Sequence, residues 1–205
     1  MKVFSKEPEQ IAQVIVKPSE MMFVQDMLIA LPDGPWMIPD NLKCFWPIIA
    51  KALPSALHYC DHYIYLTAKH LFTGPNCSWN RPGWHIDGFG TDDINFLWSD
   101  SYPTEFCVQE FELSEDHSVS MEQMTEQAKV ENIRIYPANS LLKLDNTIVH
   151  RVANPTTEGF RTFVKISVSK NKYNRVGNAH NYLIDYDWDL VERGVERNDP
   201  AHKEI

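Results

Sequence analysis

The chain has 205 residues, 43% hydrophobic and 23% charged, which is enough to bury one sizeable core and too apolar for a disordered polymer. A net charge of -9 argues against a broad basic face for nucleic-acid backbones, since that needs clustered Lys and Arg; long nucleic acid is disfavoured as a partner. Cys44, Cys60, Cys77 and Cys107 show no CxxC spacing and are too sparse for a disulfide scaffold. The opening MKVFSKEPEQ lacks an apolar signal region and no run of eighteen apolar residues occurs. A soluble, cytoplasmic protein of a reducing compartment, with no membrane partner, is therefore expected.

In chain order, residues 1–56 read as a mixed, partly helical extension. The runs IAQVIV and MMFVQDMLIALP fit either strand or helix. Asp40 is placed to cap a helix over Asn41–Leu53, in which Leu42, Phe45, Trp46, Ile49 and Leu53 recur at helical spacing, and Pro54 ends or interrupts it. Residues 57–172 change texture. HYIYLTAKH, GWHID, INFLW, EFCVQEFEL, NIRIY, SLLKL, TIVHRV and FRTFVKISVS are short, rich in β-branched and aromatic residues, and separated by turn clusters such as GPN and DGFGTDD. They predict a mainly β, antiparallel barrel or sandwich of about eight strands. Ser118–Lys129 reads as a helical insertion, and residues 173–205 as an acidic, aromatic tail packed around the barrel, all within a single domain.

Alternate residues of a strand face the same side. GWHIDG therefore aims His85 and Asp87 together, with Trp84 and Ile86 facing away. A His-x-Asp pair is too common to carry much weight alone. His150, in the strand-like TIVHRV, supplies a third ligand of the right type from a distant strand. Two imidazoles and one carboxylate on one side of a metal leave the opposite positions open, the arrangement of non-haem Fe(II) oxygenases. Arg161 opens RTFVKISVS, and a turn over Ala153–Gly159 would make the two runs a hairpin whose inward His150 and Arg161 share a cavity. A guanidinium held there suits a carboxylate, which it binds bidentately.

The order His85-x-Asp87, His150, Arg161 resembles the Fe(II)/2-oxoglutarate-dependent dioxygenase superfamily, across residues 57–172. The resemblance implies a double-stranded β-helix, a jelly-roll or cupin-like barrel with flanking helices. It implies Fe(II) on His85, Asp87 and His150, and the distal carboxylate of 2-oxoglutarate on Arg161. The implied reaction consumes O2 and decarboxylates 2-oxoglutarate to succinate while a small-molecule or modified-residue substrate is hydroxylated or demethylated. Asp87 fills the position that halogenases of this superfamily leave open, which favours hydroxylation. Many members carry Ser two residues after the arginine, where this chain has Phe163. The second bond to the carboxylate must come from elsewhere, with Tyr63, Tyr65 and Tyr136 as candidates and Asn80 and Asn95 as candidates nearer the metal. Trp79, Arg81 and Trp98 flank the ligand strand or its neighbour and are candidates for a substrate mouth.

Two other readings compete. A cupin-like metal-dependent isomerase, epimerase or hydrolase would keep the metal and need no buried anion clamp. A non-enzymatic jelly-roll binding module would make the three ligands a coincidence.

Overall fold

A computed structural model describes residues 4, 6–75, 77 and 79–193. The strands among them are, in chain order, β1 (Glu9–Gln13), β2 (Met22–Ala30), β3 (Tyr63–Thr73), β4 (Ile94–Ser99), β5 (Glu105–Cys107), β6 (Ile133–Ile135), β7 (Ser140–Leu144), β8 (His150–Arg151) and β9 (Gly159–Ser169). They form two antiparallel sheets, a large one in the order β1-β7-β4-β9-β3-β2 and a small one in the order β6-β5-β8. Helices are few: α1 (Trp46–Ala56), α2 (His117–Gln127) and short 3-10 turns.

The alternation in β9 shows how the layers separate. Val164, Ile166 and Val168 face outward and join Leu66, Ala68, Phe96 and Trp98 in a core covered by Phe45, Ile48, Ile49 and Ala52 of the α1 region. The other face of the large sheet meets the small sheet through Leu97, Phe106, Leu142, Leu144 and Ile148. Beyond the small sheet, Trp84, Ile86, Cys107 and Val149 pack on Met124 of α2. The layers therefore run helix, large sheet, small sheet, helix.

Trp98 belongs wholly to the α1 side. It is 1% exposed, and its indole N–H donates to the Val14 and Asn139 carbonyls at 2.9 and 3.2 Å. Trp98→Ala empties that space and takes the indole donor from the Val14 carbonyl, while Asn139 O keeps the Val14 amide. It is expected to lower unfolding free energy by about 3–5 kcal/mol, read from the denaturant midpoint, without altering metal binding.

Several expectations about local structure change. The two N-terminal runs that fit either element are strands, β1 and β2, and both pair into the large sheet, which thus begins before residue 57. Asp40 is not a cap: it opens a 3-10 turn, Asp40–Phe45, pairs with Lys43 at 2.5 Å, and α1 starts only at Trp46. Pro54 lies inside α1 rather than ending it, near enough to the C-terminus to remove only one late backbone bond. The helical insertion is present as α2, capped by Asp116, whose carboxylate accepts from the Ser118 and Val119 amides at 2.9 Å.

The predicted hairpin is absent. β8 pairs with β5 in the small sheet, while β9 lies between β3 and β4 in the large one. Residues 152–158 carry the chain from one sheet to the other, with Pro155, which has no N–H for a ladder, buried in the crossing.

Candidate metal centre and its two chambers

His85 and His150 are brought together by backbone pairing. The amide of each donates to the carbonyl of the other at 2.9 Å, an antiparallel bridge that adds the His85 segment to the edge of the small sheet beside β8. Residues paired this way present their side chains on one face, and the two rings lie 4.5 Å apart between centroids. Asp87 follows by the two-residue alternation. Trp84 and Ile86 are buried on the opposite face, as the sequence predicted.

One ligand atom from each of His85, Asp87 and His150 lies within 4.8 Å of the other two. The Nδ1 atoms contact backbone carbonyls, Gly83 O for His85 at 2.9 Å and Ile148 O for His150 at 3.0 Å. A carbonyl only accepts, so each Nδ1 carries the proton and each Nε2 keeps a free lone pair. His150 Nε2 stands 3.7 Å from the Asp87 carboxylate. Burial, reinforced by neighbouring His150, pushes the His85 imidazole down to about 3. Burial opposes the charge on Asp87, but the Lys165 ammonium beside it outweighs this and holds the carboxyl well below its ordinary range. Neutral imidazole nitrogens with an ionised carboxylate form a donor set for a divalent cation.

A turn sets the direction of Asp87. Gly88 has φ +71, and a Cβ on it would stand 2.7 Å from that of Asp93. Thr91 closes the turn by donating its amide and hydroxyl to the Gly88 carbonyl. Gly88→Ala is expected to cost about 1–3 kcal/mol in stability and to weaken Mn(II) binding, both measurable by titration, because the clash sits one residue from a ligand.

The triad faces two cavities. The inner one, about 140 Å³, lies between the sheets and is lined by the triad with Arg161, Lys165, Lys69 and Asn80. The outer one, about 540 Å³, shares the triad residues His85 and Asp87, with Asp26, Lys69, Arg81 and Lys165, and opens toward residues 171–193.

Arg161 is 4% exposed. Its Nε donates to the carbonyls of Ser101 and Tyr102 at 3.1 and 3.3 Å, and its Nη2 to Tyr102 O at 3.2 Å. Burial pushes its pKa down to about 10, so it stays protonated at neutral pH. Among the described residues no carboxylate lies within ion-pair distance of it, and Nη1 remains uncommitted. His150 and Arg161 thus reach one cavity from opposite sheets, and not across a hairpin.

Three lining residues were not foreseen. Lys165 lies two positions of alternation beyond Arg161, and its ammonium sits 3.6 Å from Asp87 and 3.9 Å from Asp26. Burial alone would lower its pKa, but these two carboxylates raise it. Lys69 comes from β3, where it faces Phe163 of β9 in register, and donates to Trp79 O at 2.8 Å and Asn80 Oδ1 at 3.2 Å. Burial, then the repulsion of Lys165, pushes it down to about 8. Asp26 arrives through an irregularity of register between Val24 and Met27, with φ +45, and is held by Thr67, which both accepts from its amide and donates to its carboxylate at 2.9 Å.

The remaining candidates divide. Arg81 lines both cavities and Asn80 the inner one. Tyr65 lies elsewhere, buried against Tyr173 at 4.1 Å between centroids and donating to Asn171 O. Tyr63 packs on Trp188, and Tyr136 packs on Phe106 and donates to Pro8 O. Asn95 is buried within the sheet, where its Oδ1 accepts from Ser167 at 2.6 Å. Trp79 is exposed, its indole donating to Phe72 O. None of these, nor Trp98, lines either chamber. Lys69 and Lys165 line the inner cavity, and Tyr63, Tyr65 and Tyr136 do not.

Comparison with known proteins adds little. No family model and no curated protein matches the chain. Among solved structures, EvdO2 from Micromonospora carbonacea var. aurantiaca is similar at 12% identity with a TM-score of 0.40, over 62% of this chain and 64% of that protein. So distant a likeness carries no argument about function. No helix among the described residues is long and apolar enough to cross a membrane.

Proposed function

We propose that the protein is an Fe(II)- and 2-oxoglutarate-dependent oxygenase of the hydroxylase type. The observation that carries this reading is one cavity holding both a three-donor metal site and a buried guanidinium without a carboxylate, Arg161, supplied by opposite sheets. The path of the chain supports a double-stranded β-helix. From β3 onward successive segments lie in the large sheet, the small sheet (His85), the large (β4), the small (β5, β6), the large (β7), the small (β8) and the large (β9).

His85, Asp87 and His150 would hold the iron, and their chemistry fits it: two neutral imidazoles and one carboxylate. With 2-oxoglutarate and O2 that centre supplies oxidation of a substrate C–H bond, giving succinate and CO2. The protein's own residues provide the setting. Arg161 and Lys69 would anchor the distal carboxylate, Lys69 in place of the hydroxyl that Phe163 lacks. Lys165 holds Asp87 ionised, and the backbone carbonyls of Gly83 and Ile148 fix the imidazoles. A cupin-like isomerase or hydrolase, or a simple binding module, has no use for a buried guanidinium that lacks a carboxylate partner among the described residues in the cavity that holds the triad.

The decisive experiment supplies purified protein with Fe(II), ascorbate and labelled 2-oxoglutarate. Slow release of labelled succinate is expected even without substrate. Failure of metal and 2-oxoglutarate to bind together under anaerobic conditions would sink the reading.

A further inference from the structure

The chain carries a net charge of -9, yet the wall of the outer chamber has the opposite sign. Lys69, Arg81, Lys165, Lys172, Arg175 and Arg193 line it, against the carboxylates of Asp26, Asp87 and Asp93. All three carboxylates are already engaged. Asp87 belongs to the metal site, Asp26 binds Thr67 and Lys165, and Asp93 accepts from Ser169 at 2.5 Å and Tyr173 at 2.7 Å. Lys172 and Arg175 are not neutralised: Lys172 lies over the Trp188 ring at 5.5 Å, and Arg175 donates only to the backbone carbonyl of Glu192. Both are exposed and line the same cavity as His85 and Asp87, with no carboxylate in ion-pair distance among the described residues. A concave surface of one sign focuses the field and concentrates ligands of the other. The volume, about 540 Å³, suits a small molecule and not a polymer.

We propose that the outer chamber binds an anionic small-molecule substrate, its phosphate, sulfate or carboxylate group held by Lys172 and Arg175 while the reacting carbon faces the metal. This assignment rests on the oxygenase reading and names its substrate class.

The test uses the full chain loaded with Mn(II), a redox-inert stand-in for iron, and 2-oxoglutarate. Binding of 1-naphthyl phosphate, naphthalene-1-sulfonate and neutral 1-naphthol is measured calorimetrically at low salt. At least one anion is expected to bind ten times more tightly than naphthol. The Lys172→Ala/Arg175→Ala double variant is expected to erase that preference while leaving Mn(II) and 2-oxoglutarate affinities unchanged; both side chains are on the surface, so folding is not at stake. No preference for an anion in the wild type, or an undiminished one in the variant, overturns the substrate class and leaves the oxygenase standing. Preference for an anion with no Mn(II) and 2-oxoglutarate binding overturns the oxygenase, and with it the substrate role. Tighter binding of a single-stranded oligonucleotide than of the monoester, through the same two side chains, overturns the small-molecule assignment.

Discussion

His150→Ala is expected to reduce Fe(II) or Mn(II) affinity by more than about 100-fold, the largest effect of any single substitution on the metal. His150 is 3% exposed, its Nδ1 is tied to Ile148 O, and its Nε2 stands 3.7 Å from the Asp87 carboxylate. Nothing nearby substitutes for it, because among the described residues only His85, Asp87 and His150 cluster closely enough to share one metal ion. Anaerobic titration with Mn(II), followed by electron paramagnetic resonance, would read the loss directly. The backbone bridge to His85 involves only main-chain atoms, so the variant keeps that pairing. Stoichiometric metal retained at wild-type affinity would show that His150 is an ordinary buried histidine.

The second large effect belongs to Arg161. Arg161→Ala is expected to weaken 2-oxoglutarate binding about 100-fold while Mn(II) affinity stays near the wild-type value, the size of losing one buried charge-assisted pair. Arg161→Lys should restore part of it, since an ammonium keeps the charge and loses the fork. Lys69 adds a pH signature. Its pKa of about 8, against 10.5 when free, means that it loses its proton as pH rises through about 8. Binding of the dianion needs the protonated form, so affinity is expected to fall above that pH, and binding there should take up protons. Stability of the unliganded protein moves the other way. Between about 8 and 10.5 the unfolded chain binds the proton that the folded one has released, so this group makes the fold more stable as pH rises. Lys69→Met should remove both trends, as calorimetry in buffers of different ionisation enthalpy would reveal.

The metal ligands were legible because strand alternation is a local rule. Trp84 and Ile86 are apolar and His85 and Asp87 are not, which is enough to separate two faces. The same rule applied to RTFVKISVS from Arg161 leads to Lys165, although a lysine in a strand usually marks a solvent face. Lys69 was hidden for the same reason. Asp26 was illegible, since its inward direction comes from broken register and a positive φ, which no period of two predicts. The sheet to which β8 belongs was equally hidden. Seven residues between two strands suit a hairpin or a crossing equally well, and the choice is made by pairing of His150 with His85, sixty-five positions earlier in the chain.

The two chambers differ in how their walls are made. β3 and β9 face each other through an unbroken register from Tyr63↔Ser169 to Thr73↔Gly159, so any slip there would displace Lys69 relative to Arg161 and Lys165. Residues 171–193 carry only an isolated bridge, Arg175↔Val191, and are held by anchors such as Asn181, whose amide donates to Leu28 O and Met37 O at 2.8 Å. Exchanging a side chain at position 172 or 175 disturbs no ladder. On the proposed reading, choice of substrate and choice of reaction would then be written in separate stretches of chain, and the first would be open to engineering while the second stays intact.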